Sequence, residues 1–259
     1  MFKPAILLAL LLSGCAGAVR ERIYRPDAAP AAAPAWSGAA PRMVNARTAD
    51  GLEIGGYYWA PEGEPRDILI FFHGNAGNRE RAALMAQPLR RPGTGVLVAS
   101  YRGYGGNPGS PSEPGLMADG AAFLGLARTL QPGAKVYLFG WSLGGAVALH
   151  LAAREEVDGV VTLGAFTRLR DVAPSIARGV LPDRWDNEAA IASVSEPVYL
   201  FHGTNDQVVP FAAAQRLKAA SGRATLVTVT GAGHEVDLAS IASHVWRAFD
   251  GLGPPPPTP

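Results

Sequence analysis

Apolar strand-like runs that alternate with helical stretches predict one α/β domain. Its central sheet is expected to be mostly parallel, with helices on both faces and a short insertion over the site. Three observations carry that expectation. Ile68–Phe72 and Val136–Phe139 are unbroken apolar runs, as strands buried on both faces require. Helix-length stretches separate most successive runs, which suits parallel crossovers. Between Val136–Phe139 and the helix-forming run Ala146–Arg154 stands Gly140-Trp141-Ser142-Leu143-Gly144, with Gly145 next. A Gly-x-Ser-x-Gly turn so tight puts strain on the Ser and needs small neighbours, because the following helix passes close to the strand.

The chain has 259 residues and a net charge of +1, enough for one domain plus tails, with no electrostatic footprint for nucleic acid. Hydrophobic residues make up 48%, sufficient for a substantial core. The sequence shows no Cys/His cluster at metal-ligand spacing, no Gly-x-x-x-x-Gly-Lys and no repeat, so no metal or organic cofactor is implied.

Residues 1–14 read as a signal peptide: Lys3 gives the positive start, and Ala5–Leu12 is an apolar run too short to span a bilayer. Leu12-Ser13-Gly14-Cys15 resembles a bacterial lipoprotein signal, in which the cysteine carries lipid. Cys15 is the one cysteine in the chain, so its acylation would leave the body without thiols. Ala16 after it, rather than aspartate, leans by the same resemblance toward the outer membrane, facing the periplasm. Residues 15–42, rich in Ala and Pro, read as a semi-extended tether. Residues 43–252 form the expected domain, and 253–259 a disordered Pro-rich tail.

Within the domain, Met43–Ala60 reads as a hairpin about Asp50-Gly51. Ile68–Phe72 is a buried strand. Asn78 is a candidate cap for a helix from Arg79 to Arg91, which Pro92-Gly93 stops. Val96–Ala99 is a strand, and Tyr101–Pro111 a Gly/Pro-rich loop. Ser112 is placed to cap a helix from Glu113 to Leu130. The Val136 strand, the Ser142 turn and its helix follow, then a strand at Val157–Leu163. Gly164–Val194, with Pro174 and Pro182, reads as the insertion, with one short helical stretch. Val198–Phe201 and Ala224–Val229 are strands; Ala212–Ala220 and Val236–Phe249 are helices.

The chemistry-bearing residues all follow strand ends, where open parallel sheets bind ligands. His73-Gly74-Asn75 follows one strand and Ser142 the next; Asp206 and His234 follow the last two. Ser142 is the candidate nucleophile, His234 the base that takes its proton, and Asp206 the group that orients the imidazole. The N–H groups of Leu143 and Asn75 are the candidate oxyanion donors. By chance alone, Gly-x-Ser-x-Gly arises in roughly one Gly-rich chain in five of this length. The order Ser, Asp, His gives it weight. Asp206 could instead merely shape its turn. His73 reads as a brace of the Asn75 turn, His202 as a buried hydrogen-bonded group, and His150 and His244 as ordinary helix residues.

Over about residues 43–250 the chain resembles the α/β-hydrolase family. Phe71–Asn78, Tyr101-Arg102-Gly103-Tyr104-Gly105 and Pro111-Ser112-Glu113 further resemble its short-insertion, membrane-associated branch, which includes eukaryotic protein depalmitoylases. Asn107 stands where that branch commonly has a small hydroxyl residue. The resemblance implies hydrolysis of esters, thioesters or, in some relatives, peptides. The expected function is a serine hydrolase acting on a small-molecule or lipid-like acyl ester. The alternatives are a peptidase or acyltransferase using the same residues, and a non-catalytic, lipid-anchored binding protein. Arg102 is expected to brace the site, and the walls of the pocket to come from Gly164–Val194 and the Tyr101–Ser110 loop.

Overall fold

The computed structural model describes residues 17–28, 34–173, 178–179 and 181–253. The signal peptide, Cys15 and the tail beyond Gly253 lie outside the described residues.

Ten strands and eight helices are described, in chain order. Residues 17–23 form helix α1, followed by β1 (Arg25–Pro26), β2 (Arg42–Arg47), β3 (Glu53–Trp59), β4 (Asp67–Phe72) and β5 (Ala76–Gly77). Then come α2 (Arg79–Ala86), β6 (Thr94–Ala99), α3 (Glu113–Leu130), β7 (Lys135–Trp141), α4 (Leu143–Ala152) and β8 (Gly159–Leu163). The chain closes with α5 (Leu169–Val172), α6 (Asn187–Ala192), β9 (Val198–Gly203), α7 (Phe211–Ala220), β10 (Ala224–Val229) and α8 (Leu238–Phe249).

Eight strands make one sheet in the order β10-β9-β8-β7-β4-β6-β3-β2. All its pairings are parallel except β2 with β3 and β3 with β6. The hairpin sits at the edge, closing with Arg47 opposite Glu53, and Gly51 supplies the positive φ of 91° in its turn. Strands β4 and β7 lie side by side in the middle, Ile70 level with Leu138. Because side chains alternate along a strand, Ile68, Ile70 and Phe72 enter one core layer while Leu69 and Phe71 enter the other. Helices α3, α4 and α7 cover the first layer, α2 and α8 the second. Each fully buried Leu, Ile or Phe contributes about 1.5–3 kcal/mol.

Local chemistry sets the helix ends. The side chain of Asn78 accepts from Arg81 N–H, and that of Ser112 from Gly115 N–H. Helix α2 is shorter than its sequence suggests. It gives way to a 3-10 turn over Gln87–Leu89, because Pro88 has no N–H to continue the α pattern.

Two expectations need correction. Residues 17–28 and 34–41 do not stand off the domain as a tether. Tyr24 is 1% exposed, β1 pairs with β5, and Trp36 packs edge-on against Tyr57 and Trp59. A few large side chains and backbone ladder bonds outweigh a composition that favours extension. Among the described residues, the Gly164–Val194 stretch also shows two helical pieces rather than one. Helix α6 packs against α4 and α7 as part of the helical layer, so only the residues before it overhang the site.

Candidate active site

Ser142 sits at the junction of β7 and α4 with φ 53° and ψ −112°. A non-glycine residue holds such a conformation only where its surroundings over-determine it. The surroundings here are the close approach of helix to strand. A Cβ on Gly140 would fall 2.2 Å from Gly144 O, and one on Gly144 would fall 2.0 Å from Phe72 O. Side chains are therefore excluded at both positions. Ser142 N–H is held by Leu163 O at 2.8 Å, which ties the turn to β8.

The loop after β9 carries Asp206, which is 5% exposed. Its Oδ1 accepts from Val208 N–H and Val209 N–H, both at 2.8 Å. Those two bonds fix the carboxylate and aim Oδ2 at the loop after β10. There His234 Nδ1–H donates to Oδ2 at 2.7 Å. That bond sets the imidazole tautomer and leaves Nε2 as the lone-pair nitrogen. The Trp141 indole N–H donates to His234 O at 3.2 Å and holds the histidine loop over the turn. Ser142 and His234 line one cavity, with no hydrogen bond between their side chains among the described residues. Such contacts commonly tighten only when substrate is bound.

Two residues outside the expected catalytic set lie beside the pair, and one of them, His202, is buried and hydrogen-bonded as the sequence suggests. His202 Nε2–H donates to Val209 O at 2.8 Å and lies 3.4 Å from Asp206 Oδ2, so it braces the turn that holds the carboxylate. Burial pushes its pKa down. Gly164, at the end of β8, lies against the pair: a Cβ there would come 3.1 Å from the His234 ring. A glycine directly after a buried parallel strand is the one cue the sequence offers.

Asn75 and Leu143 both line the cavity. Among the described residues neither backbone N–H has a protein acceptor, so both are free to meet a negatively charged oxygen. Leu143 is the first residue of α4, where the helix dipole favours such charge. The turn that holds Asn75 is braced from behind. Tyr104 O–H donates to Asn75 O at 2.8 Å and Tyr101 O–H to His73 O at 2.9 Å. Both tyrosine rings pack on the His73 ring, whose Nδ1–H donates to Gly74 O. Burial pushes the pKa of His73 down to about 4, so it stands neutral as a structural brace. Asn107 fastens the same loop to β3, accepting from Gly55 N–H at 2.8 Å and donating to Gly55 O. The Tyr101–Ser110 loop thus supports the site and, contrary to expectation, lines none of the cavity.

The cavity has a volume of about 850 Å³. Its walls are largely apolar: Phe166, Leu169, Val172 and Leu181 from the insertion, and Met85 from α2. Another part of the wall, Ala18, Val19, Arg22 and Ile23, comes from α1, in the stretch that the sequence gives as tether, and Arg25, Arg81 and Glu235 add charged groups to the lining. Among the described residues no group of three His, Cys, Asp or Glu side chains is placed to hold a metal ion.

Comparison with known proteins follows the same lines. Residues 67–190 match the family described as alpha/beta hydrolase fold, and residues 180–245 the family described as TAP-like protein. An uncharacterized protein of Mycobacterium tuberculosis is 38% identical over 225 residues, covering 83% of this chain and 80% of that one. A lysophosphatidylserine lipase of Danio rerio is 28% identical over 65% of this chain and 55% of its own. Among solved structures, an esterase of Pyrococcus furiosus superposes with a TM-score of 0.68 at 17% identity, covering 89% of this chain and 99% of that one, a likeness of fold.

Proposed function

This chain belongs to the α/β-hydrolase family, and on that premise we propose that it is a serine hydrolase of carboxylic esters or thioesters. The observation that carries the reading is the buried Asp206 carboxylate bonded to His234 on the rim of the cavity that Ser142 enters. Ser142 Oγ attacks the acyl carbonyl as His234 Nε2 takes its proton. The carbonyl oxygen, now an anion, turns toward the N–H groups of Leu143 and Asn75. His234 returns the proton to the departing alcohol or thiol, leaving an acyl group on Ser142. Water then attacks that ester, again through His234, and releases the acid. Asp206 keeps the imidazole oriented and stabilises its charged form in both halves.

An apolar cavity of about 850 Å³ suits a lipid-like acyl chain better than a polar one. A fluorophosphonate probe is expected to form one adduct, mapped by peptide sequencing to Ser142. With that adduct absent, a chain-length series of fatty-acyl esters and thioesters is expected to turn over. Faster cleavage of matched peptide amides, or transfer of the acyl group to added alcohols in place of water, would move the assignment to a peptidase or an acyltransferase. An adduct on any other residue would remove Ser142 as nucleophile.

The enzyme is further proposed to sit in a bacterial cell envelope, anchored through lipid on Cys15, with the membrane-associated branch of the family. The support is the lipoprotein-like run Leu12–Cys15 and the position of Cys15, just ahead of the helix that walls the cavity. A mouth held so near the anchor would meet acyl chains at the membrane surface. Cys15→Ser is expected to lose metabolic labelling by an alkyne fatty acid and to leave the membrane fraction. Unchanged labelling in that variant would remove the anchor.

A further inference from the structure

Residues 17–28 make two sets of contacts that a passive wall does not need. The first is with the turn that presents Asn75. Arg25 N–H donates to Asn75 O at 2.8 Å, and Asn75 Nδ2 donates back to Ile23 O at 3.0 Å. One step on, Asp27 N–H donates to Gly77 O at 2.7 Å, completing the short parallel ladder of β1 with β5. Asn75 is therefore gripped by its side chain and its carbonyl at once, which fixes the direction of its free N–H.

The second set is a partly buried clasp to the insertion. Arg20 donates from Nη2 to Asp183 Oδ1 at 2.8 Å and from Nε to Oδ2 at 3.0 Å. Tyr24 O–H donates to Asp183 Oδ2 at 2.8 Å and accepts from the Trp185 indole at 3.0 Å. Asp183 and Tyr24 are each 1% exposed, and Trp185 is fully buried with φ 41°. A carboxylate so deep is tolerated only with its partners in place. The insertion is thus built around this N-terminal segment, and a side chain in the left-handed region is held there by the fit.

We propose that residues 17–28 form a strap that positions the oxyanion site, with Asp183, Arg20 and Tyr24 as the clasp that keeps it seated. The proposal rests on the serine-hydrolase reading and assigns these three side chains as positioning residues. They touch no reacting atom. They act through Ile23 and Arg25 on Asn75, so their loss weakens binding of the tetrahedral oxyanion more than binding of the planar ester.

The test compares full-length wild type with Asp183→Asn and Tyr24→Phe. Turnover of a soluble acetyl ester is measured beside inhibition by a trifluoromethyl ketone, which forms a tetrahedral adduct, and by a non-reactive ether of the same shape. For Asp183→Asn, kcat and ketone affinity are expected to fall together by about 10–100-fold, short of the roughly 10²–10³-fold that outright loss of an oxyanion donor costs. KM and ether inhibition should stay within about twofold. Tyr24→Phe, which removes one hydroxyl, should show a smaller loss of the same kind and serves alone if Asp183→Asn does not fold. Wild-type kcat and ketone affinity in the folded variants, or a rise confined to KM and the ether constant, would overturn the proposal and leave the segment a wall. A wild type that neither turns over the ester nor binds the ketone overturns the hydrolase reading, and the strap's role with it.

Discussion

Ser142→Ala is expected to lower kcat for short p-nitrophenyl esters by about 10⁵–10⁶-fold and to abolish fluorophosphonate labelling. The size follows from what the hydroxyl does. In the proposed mechanism no acyl-enzyme forms without it, and only the oxyanion donors and the cavity remain, worth roughly 10³–10⁴ over water. Asp206→Asn should cost about 10⁴-fold while leaving KM little changed. An amide at 206 can present its NH2 to His234 Nδ1, which forces the proton onto Nε2 and blocks the base. In the proposed mechanism Ser142, His234 and Asp206 act on one proton, so Ser142→Ala combined with Asp206→Asn should be scarcely worse than Ser142→Ala alone. Multiplying losses, or a Ser142→Ala rate near wild type, would show that these residues do not act as a unit.

The second large effect is on stability. Arg102→Met is expected to destabilise the fold by about 3–5 kcal/mol, read as a lower urea midpoint at unchanged slope. Asp119 has no exposed surface, and burial pushes its carboxyl pKa up against the pull of Arg102. Arg102 meets it with Nη2 at 2.9 Å and Nε at 3.0 Å, and reaches Asp50 Oδ2 with Nη1 at 2.7 Å. Removing the guanidinium strands a buried charge, whereas removing both partners does not. Arg102→Met with Asp119→Leu should therefore recover most of the loss. Part will remain, because Asp119 Oδ2 also accepts the Arg102 backbone N–H at 2.9 Å. A double variant no more stable than Arg102→Met would refute the buried-charge account. Activity of the folded Arg102→Met fraction reports whether the tyrosines beside it still hold His73 and Asn75.

The parts of this fold legible in the sequence are those set by neighbours along the chain. Unbroken apolar runs gave β4 and β7, Asp50-Gly51 gave the hairpin turn, and Asn78 and Ser112 gave helix starts. Each depends on backbone geometry within a few residues. The Ser142 turn was legible for the same reason, since small residues at 140 and 144 are the local cost of its strain. The position of Asp206 and His234 after successive strands was enough to place both at one end of the sheet.

The N-terminal stretch was misread because nothing local distinguishes a docked Ala/Pro-rich segment from a free one. Its fixing contact, Tyr24 with Asp183, joins residues 159 apart in sequence. The bracing of Asn75 by Tyr104, the turn support from His202 and the space that Gly164 leaves for His234 are of the same kind. By itself the sequence determined a parallel α/β sheet and which residue types stand at its strand ends, because period, caps and turns are short-range. Only the tertiary structure decided which segment closes the cavity and what holds the Asn75 turn. Those are matters of long-range packing and buried hydrogen bonding, formed when distant stretches exclude water together.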